Sequence, residues 1–148
     1  LYNQPANTFV ASFIGSPEMN MLEADLSVDG STRTVTLLNA TGKLTASDLH
    51  VSGSRLPIKL GLRPENVLVN ASDEAGVLWV DARMSHIEYM GSEVFAYFRV
   101  GETVVTSRLP ASLATTVSQM KRGEATRIGL QLAHAHLFDA VSGVNLTV

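Results

Sequence analysis

From Asn20 onward the chain is cut into short β-forming runs by glycine-bearing turn signals, and this punctuation constrains the fold more than any other feature. The runs read as strands at Asn20–Val28, Thr32–Leu38, Ile58–Leu62, Val77–Tyr89, Glu93–Val100, Thr103–Arg108, Thr126–Leu132 and Val144–Val148. Asp29-Gly30, Ala40-Thr41-Gly42, Gly91-Ser92, Gly101-Glu102 and Arg122-Gly123 supply turns between them. Glycine suits these places because it reaches the positive φ that tight hairpins demand. In "EVFAYFRV", Val94, Ala96, Phe98 and Val100 alternate with Phe95, Tyr97 and Arg99. Aromatic rings fall on both faces of that run, which places it centrally in a closed or doubly covered sheet. Helical turns are expected only near Ala111 to Met120 and at "HLFD", and no internal repeat is visible. Many short strands with Gly-rich turns make a mainly β domain, a small barrel or a sandwich.

The segment ahead of the strands behaves differently. Pro5 suits the first turn of a helix and Asn3 can cap it, since proline's missing N–H costs nothing there. Phe9, Val10, Phe13 and Ile14 then share one helical face, and Gly15 with Pro17 ends the element. A helix this short is marginal alone in water, so its apolar face must dock on something. Phe9 and Phe13 are its packing anchors. The absent initiator Met makes a piece of a longer chain the expectation.

Composition narrows the chemistry. A chain of 148 residues with 45% hydrophobic side chains can bury a real core. The formal net charge is -3 with scattered basic residues, which disfavours a nucleic-acid groove or an anionic-membrane footprint. Cysteine is absent, which excludes disulfides and thiolate catalysis. The apolar stretch at Phe9 to Ile14 is far below the roughly 20 residues of a membrane helix and lacks a signal peptide's basic flank. The N-x-S/T sequons at Asn39, Asn70 and Asn145 are read as chance.

No catalytic signature emerges. Gly42-Lys43 mimics the end of a phosphate loop, but the loop's upstream Gly is missing and Leu44 stands where Ser or Thr should reach the metal. The dipeptide reads as a turn. His134 and His136 would share one face if they lay in a strand, yet a zinc site needs a third ligand from His50, His86 or a carboxylate. There is no G-x-S-x-G elbow, and Asp73-Glu74 sits in what reads as a solvated loop. In "LGLRPENV", Pro64 pushes Arg63 out of the α region, so the strand ends in a corner. Glu65 can fold back onto Arg63 or a backbone N–H, which gives either a plain structural corner or a polar contact across an interface.

Three motifs carry a resemblance to a family. "YNQPANTFVASFIGSPEMNML" resembles the segment that follows the ATPase domain in bacterial ATP-binding-cassette sugar importers of the maltose and sn-glycerol-3-phosphate type, through Tyr2, Pro5-Ala6-Asn7, Phe9-Val10-Ala11, Phe13-Ile14-Gly15 and Met19-Asn20. "LGLRPENV" is similar to the family's Gly-hydrophobic-Arg-Pro-Glu motif at Gly61 to Glu65. "HLFDAVSGVNL" is similar to its closing motif at His136 to Asp139, Gly143 and Leu146. Ser12 departs from the family's usual Gly.

The resemblance implies an OB-like small β barrel with a short N-terminal helix. Residues 1–18 would be the connecting helix and linker from an ATPase domain, and 19–148 the OB-like regulatory domain. It further implies a non-catalytic regulatory and dimerisation role in an importer ATPase for carbohydrates or glycerol 3-phosphate. Catalytic, cofactor and metal residues are expected to be absent from this segment, with ATP and Mg held by the ATPase domain. The implied partners are that ATPase domain, a second copy of the subunit, membrane permease subunits and a regulatory protein, but no nucleic acid. The implied location is cytoplasmic, peripheral to the inner membrane. Phe9, Phe13, Arg63, Pro64 and Glu65 are the interface candidates. The alternative is a barrel that senses a small oxyanion or sugar, for which Arg63, Arg83 or Arg99 would be convergent donors.

Overall fold

A computed structural model describes residues 19–29, 32–38, 40–44, 55–69 and 76–146. The N-terminal helix expected around Phe9 and Phe13 lies outside the described residues. The strands are β1 (Asn20–Asp29), β2 (Thr32–Leu37), β3 (Ala40–Leu44), β4 (Arg55–Leu62), β5 (Val67–Val69), β6 (Val77–Met90), β7 (Glu93–Val100), β8 (Thr103–Pro110), β9 (Ala125–Gln131) and β10 (His136–Asp139). Among the described residues one short helix, α1 (Ala114–Ser118), continues a 3-10 turn at Ala111–Leu113, where helical turns were expected.

The strands form two antiparallel five-stranded sheets, ordered β10-β4-β1-β2-β3 and β5-β9-β6-β7-β8. Within each sheet, three consecutive strands form a meander and the next returns beside the first, a Greek-key order. The fifth strand of each sheet is exchanged. β5 follows β4 but pairs with β9, whereas β10 follows β9 but pairs with β4. Both exchanges pass through matching corners: Leu60-Gly61-Leu62 leads to a 3-10 turn at Pro64–Asn66, and Ile128-Gly129-Leu130 to one at Leu132–His134. The duplication that the residues conceal is therefore plain in the topology.

Alternation explains the core. Leu22, Leu26, Val35 and Leu60 of the first sheet meet Val80, Phe98 and Ile128 of the second in one buried cluster. The central position expected for "EVFAYFRV" holds, since β7 lies between β6 and β8 with Phe98 fully buried. The second sheet closes on itself where Ser107 Oγ donates to the Val67 carbonyl at 2.7 Å, joining its two edge strands. The exposed backbone of β8 is then capped from the other sheet. The Asn20 amide donates to Thr106 O at 2.9 Å and accepts from Thr106 N–H at 2.8 Å. One side chain thus supplies the donor and acceptor of a missing ladder partner. The result is the expected mainly β, OB-like barrel architecture.

Two glycines make close approaches possible. A Cβ on Gly61 would lie 2.7 Å from both Met19 Sδ and Phe138 Cε2. One on Gly129 would lie 2.7 Å from Val77 Cγ1 and 3.0 Å from the Trp79 ring. In each sheet an aromatic ring covers the bare backbone of the corner strand.

Three local expectations are corrected. Ala40-Thr41-Gly42 is not a turn but the start of β3, and Lys43 continues it. The chain reverses earlier, at Leu38, whose φ of 54° is left-handed. Gly42 is small because β3 packs close: its Cβ would meet Leu132 Cδ1 at 2.8 Å. "HLFD" is strand β10 rather than a helical turn, because pairing with β4 buries Leu137 and Phe138. The strand expected at Val144 to Val148 contributes only an isolated bridge from Asn145 to Phe138 among the described residues. Before it, Asp139 accepts the N–H groups of Ser142 and Val141 at 2.9 Å each. Those bonds hold its carboxyl below the usual carboxylate value.

Candidate functional site

On the outer face of the second sheet, strand alternation sends Val80, Ala82, Phe98 and Ile128 inward and Asp81, Arg83, Arg99 and Arg127 outward. Register brings the outward set together. Arg83 is directly opposite Arg99 across β6 and β7, and Asp81 is opposite Arg127 across β6 and β9. Direct partners in such ladders stand about 5 Å apart at Cβ and diagonal ones about 7–8 Å. Arg83 and Arg127 are diagonal, so long guanidinium side chains from all three strands can reach one point.

These residues form the outer rim of a groove of about 1170 Å³ that runs round the edge of β6 not covered by β7, between the second sheet and the β2–β3 hairpin of the first, with the inward Leu78, Val80 and Ala82 on its other side. Leu37, Leu38 and Ala40 form its far wall, and Val77 and Trp79 its near apolar end. Arg83 Nη1 donates to the Gly123 carbonyl at 2.9 Å, which orients that side chain. Arg99 and Arg127 make no hydrogen bond or ion pair among the described residues. The Trp79 indole N–H is closed off from water and meets no acceptor there.

Further along the face, a bulge between Met84 and His86 shifts the β6 register, so that His86 and Glu88 continue the outward row. His86 stacks on Tyr97 with centroids 4.3 Å apart and planes 8° from parallel. The Tyr97 hydroxyl donates to Glu88. Burial, then the Glu88 hydrogen bond and its negative charge, push the phenol up to about 12. The folded state therefore holds this proton more tightly than the unfolded chain, whose value is 10.0. That contribution is complete below the unfolded value and is lost as pH rises toward the folded one. An ultraviolet titration should show one of the three tyrosines ionising late. Tyr97→Phe should remove that step and flatten the alkaline fall in stability; an unchanged alkaline limb would contradict the assignment.

The residues singled out from the sequence are distributed as follows. Arg83 and Arg99 converge, but Arg63 does not join them. It is 4% exposed at the β4 corner, in the extended conformation expected before proline. Pro64 is buried beside it, and Glu65 is exposed. The Asn66 N–H donates to the Arg63 carbonyl at 2.9 Å, which closes the corner. Phe9 and Phe13 lie outside the described residues. His134 is in a 3-10 turn and His136 in β10, so the two do not share a strand face. Among the described residues no three His, Asp or Glu side chains gather closely enough to hold a metal ion. Arg127 and Trp79 were missed by sequence reasoning. Alternation in "ATRIGLQ" points Arg127 outward, but nothing in the residues tells which strand lies alongside.

Comparison with known proteins places this geometry. The TOBE domain model matches residues 60–138. The chain is 36% identical over 159 aligned residues to the sn-glycerol-3-phosphate import ATP-binding protein UgpC of Burkholderia pseudomallei (strain 1710b), covering 97% of this chain and 38% of that protein. It is 34% identical over 143 residues to the uncharacterized ABC transporter ATP-binding protein YcjV of Escherichia coli O157:H7, covering 95% and 37%. The chain thus spans less than two-fifths of the length of these relatives. Among solved structures it is similar to the cytoplasmic molybdate-binding protein ModG with molybdate bound, at a TM-score of 0.60 and 13% identity, covering 80% of this chain and 94% of that one. At that identity the likeness is one of fold.

Proposed function

The chain belongs to the TOBE domain family, and from that premise we propose that it is the non-catalytic regulatory and dimerisation domain of an importer's ATP-binding-cassette subunit. The observation that carries the reading is the asymmetry of coverage: nearly all of this chain aligns with import ATP-binding proteins, but with only 38% of such a relative. The imported solute would be a carbohydrate or glycerol 3-phosphate. The parent subunit would hydrolyse ATP in its other domain, with Mg bound there. We place the boundary so that residues 1–18 connect the two domains and 19–148 form the regulatory one.

Mechanistically, a curled β body sharing one core across two sheets deforms little, because close-packed interiors transmit displacement rather than absorb it. Two such bodies, one per subunit, would keep the ATPase domains paired while those domains open and close. The Phe9 and Phe13 face would couple each barrel to its ATPase domain. The solvent-exposed Glu65 beside the buried Arg63-Pro64 corner would face a partner. The subunit would sit in the cytoplasm against permease subunits at the inner membrane and could receive a regulatory protein. No helix among the described residues is long and apolar enough to cross a membrane.

Calorimetry with ATP and magnesium should show no binding to this chain, and sedimentation should show a dimer in rapid exchange or better. Tight magnesium-dependent ATP binding would overturn the non-catalytic assignment. A strict monomer at high concentration would remove the dimerisation role. The coding sequence directly upstream should contain a phosphate loop, and an unrelated domain there would remove the importer parent.

A further inference from the structure

We propose that the arginine-bearing outer rim of the groove between β6 and the β2–β3 hairpin is a binding site for the dianionic phosphate group of a small organic phosphate, held by Arg83, Arg99 and Arg127. The proposal gives chemical content to the ligand-sensing alternative and does not depend on the importer reading, because it stands on the groove alone.

Three facts carry it. First, the cations are concentrated against the trend of the molecule, whose formal net charge is -3. Register places Arg83 and Arg99 directly opposite each other, an arrangement that like charges disfavour and a bound anion would relieve. Second, two of the three guanidiniums are uncommitted: Arg99 and Arg127 have no hydrogen bond or ion pair among the described residues. Arg83 is pre-oriented by the Gly123 carbonyl and keeps its remaining donors. Planar guanidinium forks match the oxygen geometry of phosphate, and preorganised ones lose least freedom on binding.

Third, charge and shape agree on the ligand. Three guanidiniums against the single carboxylate of Asp81 leave two positive charges (3 − 1 = 2) on this patch of the face. That balance matches a phosphate monoester dianion better than a monoanionic carboxylate. Asp81 itself is placed to accept a hydroxyl of the organic part. The groove holds about 1170 Å³, somewhat above the roughly 300–1,000 Å³ of small-molecule sites, and Leu38 and Trp79 border it with apolar surface that inorganic phosphate alone would leave unused.

Isothermal titration of the whole chain with glucose 6-phosphate, inorganic phosphate and glucose tests the proposal. Glucose 6-phosphate should bind most tightly, inorganic phosphate more weakly, and glucose without measurable heat; added salt should weaken both anions. Arg99→Gln and Arg127→Gln should each reduce glucose 6-phosphate affinity by about tenfold or more, the scale of one lost charge-assisted hydrogen bond. Both positions are solvent-exposed, so their thermal midpoints should match the parent chain. Arg55→Gln, an exposed arginine on β4 of the other sheet, should leave affinity unchanged. No binding of either anion, or equal loss in Arg55→Gln, overturns the site. Equal affinity for inorganic phosphate and glucose 6-phosphate overturns the organic part of the ligand.

Discussion

Phe138→Ala is expected to destabilise the domain by about 3–5 kcal/mol, the range for truncating a fully buried phenylalanine. The ring is 0% exposed and lies where a side chain on Gly61 would otherwise be. Its loss removes the transfer free energy of an aromatic side chain and also leaves a hole floored by bare β4 backbone, beside Met19. Urea denaturation is the measurement, with the midpoint falling and the slope unchanged. Val141→Ala is the control, because Val141 is 91% exposed and its truncation should stay within about 0.5 kcal/mol. A cost for Phe138→Ala below about 1 kcal/mol would show that β10 is not a structural member of the first sheet.

Asn20→Leu is expected to cost about 2–4 kcal/mol, because it strips two backbone groups of their partners at once. The side chain is 7% exposed, and its amide meets both the N–H and the carbonyl of Thr106. Leucine has nearly the same shape, so the loss reports hydrogen bonding rather than volume. Hydrogen exchange at Thr106 should accelerate by more than at the neighbouring Val105, whose side chain is fully buried. Asn20→Asp makes the argument sharper. An ionised carboxylate still accepts from the Thr106 N–H but repels its carbonyl, and a protonated one can donate to it. The aspartate variant should therefore be markedly less stable at neutral pH and regain stability as pH falls toward the carboxylate range. If Asn20→Asp has the same pH profile as the parent chain, the two-way bond to Thr106 is not what caps the edge of β8.

Much of the secondary structure was legible because hairpins are local. Gly91 and Gly101 adopt φ of 70° and 60°, and the turns fall where those residues stand. The run Glu93–Val100 is a strand with the bounds its alternation indicates. The failures were also local in appearance and non-local in cause. Gly42 read as a turn because glycine usually breaks a strand, whereas here it admits Leu132 from a distant segment. "HLFD" became a strand because β4, far earlier in the chain, offered it an open edge. The duplicated wiring escaped notice because the two halves share only the Gly-Leu corner and the ensuing 3-10 turn.

The candidate site shows the same division. Alternation is consistent with Arg83, Arg99 and Arg127 pointing away from the core, since side chains on a strand change face at every residue, but which face is buried was not read from the residues. The glycine punctuation determined that the chain is a mainly β body of short antiparallel strands, and the motif residues at its start, middle and end determined its family resemblance. Only the tertiary structure decided that β9 returns beside β6, which sets Arg127 against Asp81 and diagonal to Arg83. It alone decided that Arg63 is enclosed and that Asn20 caps the edge of β8. Strand order and register depend on contacts between residues far apart in sequence. Each strand's own pattern is satisfied equally well beside many possible neighbours, and only burial of one shared core selects among them.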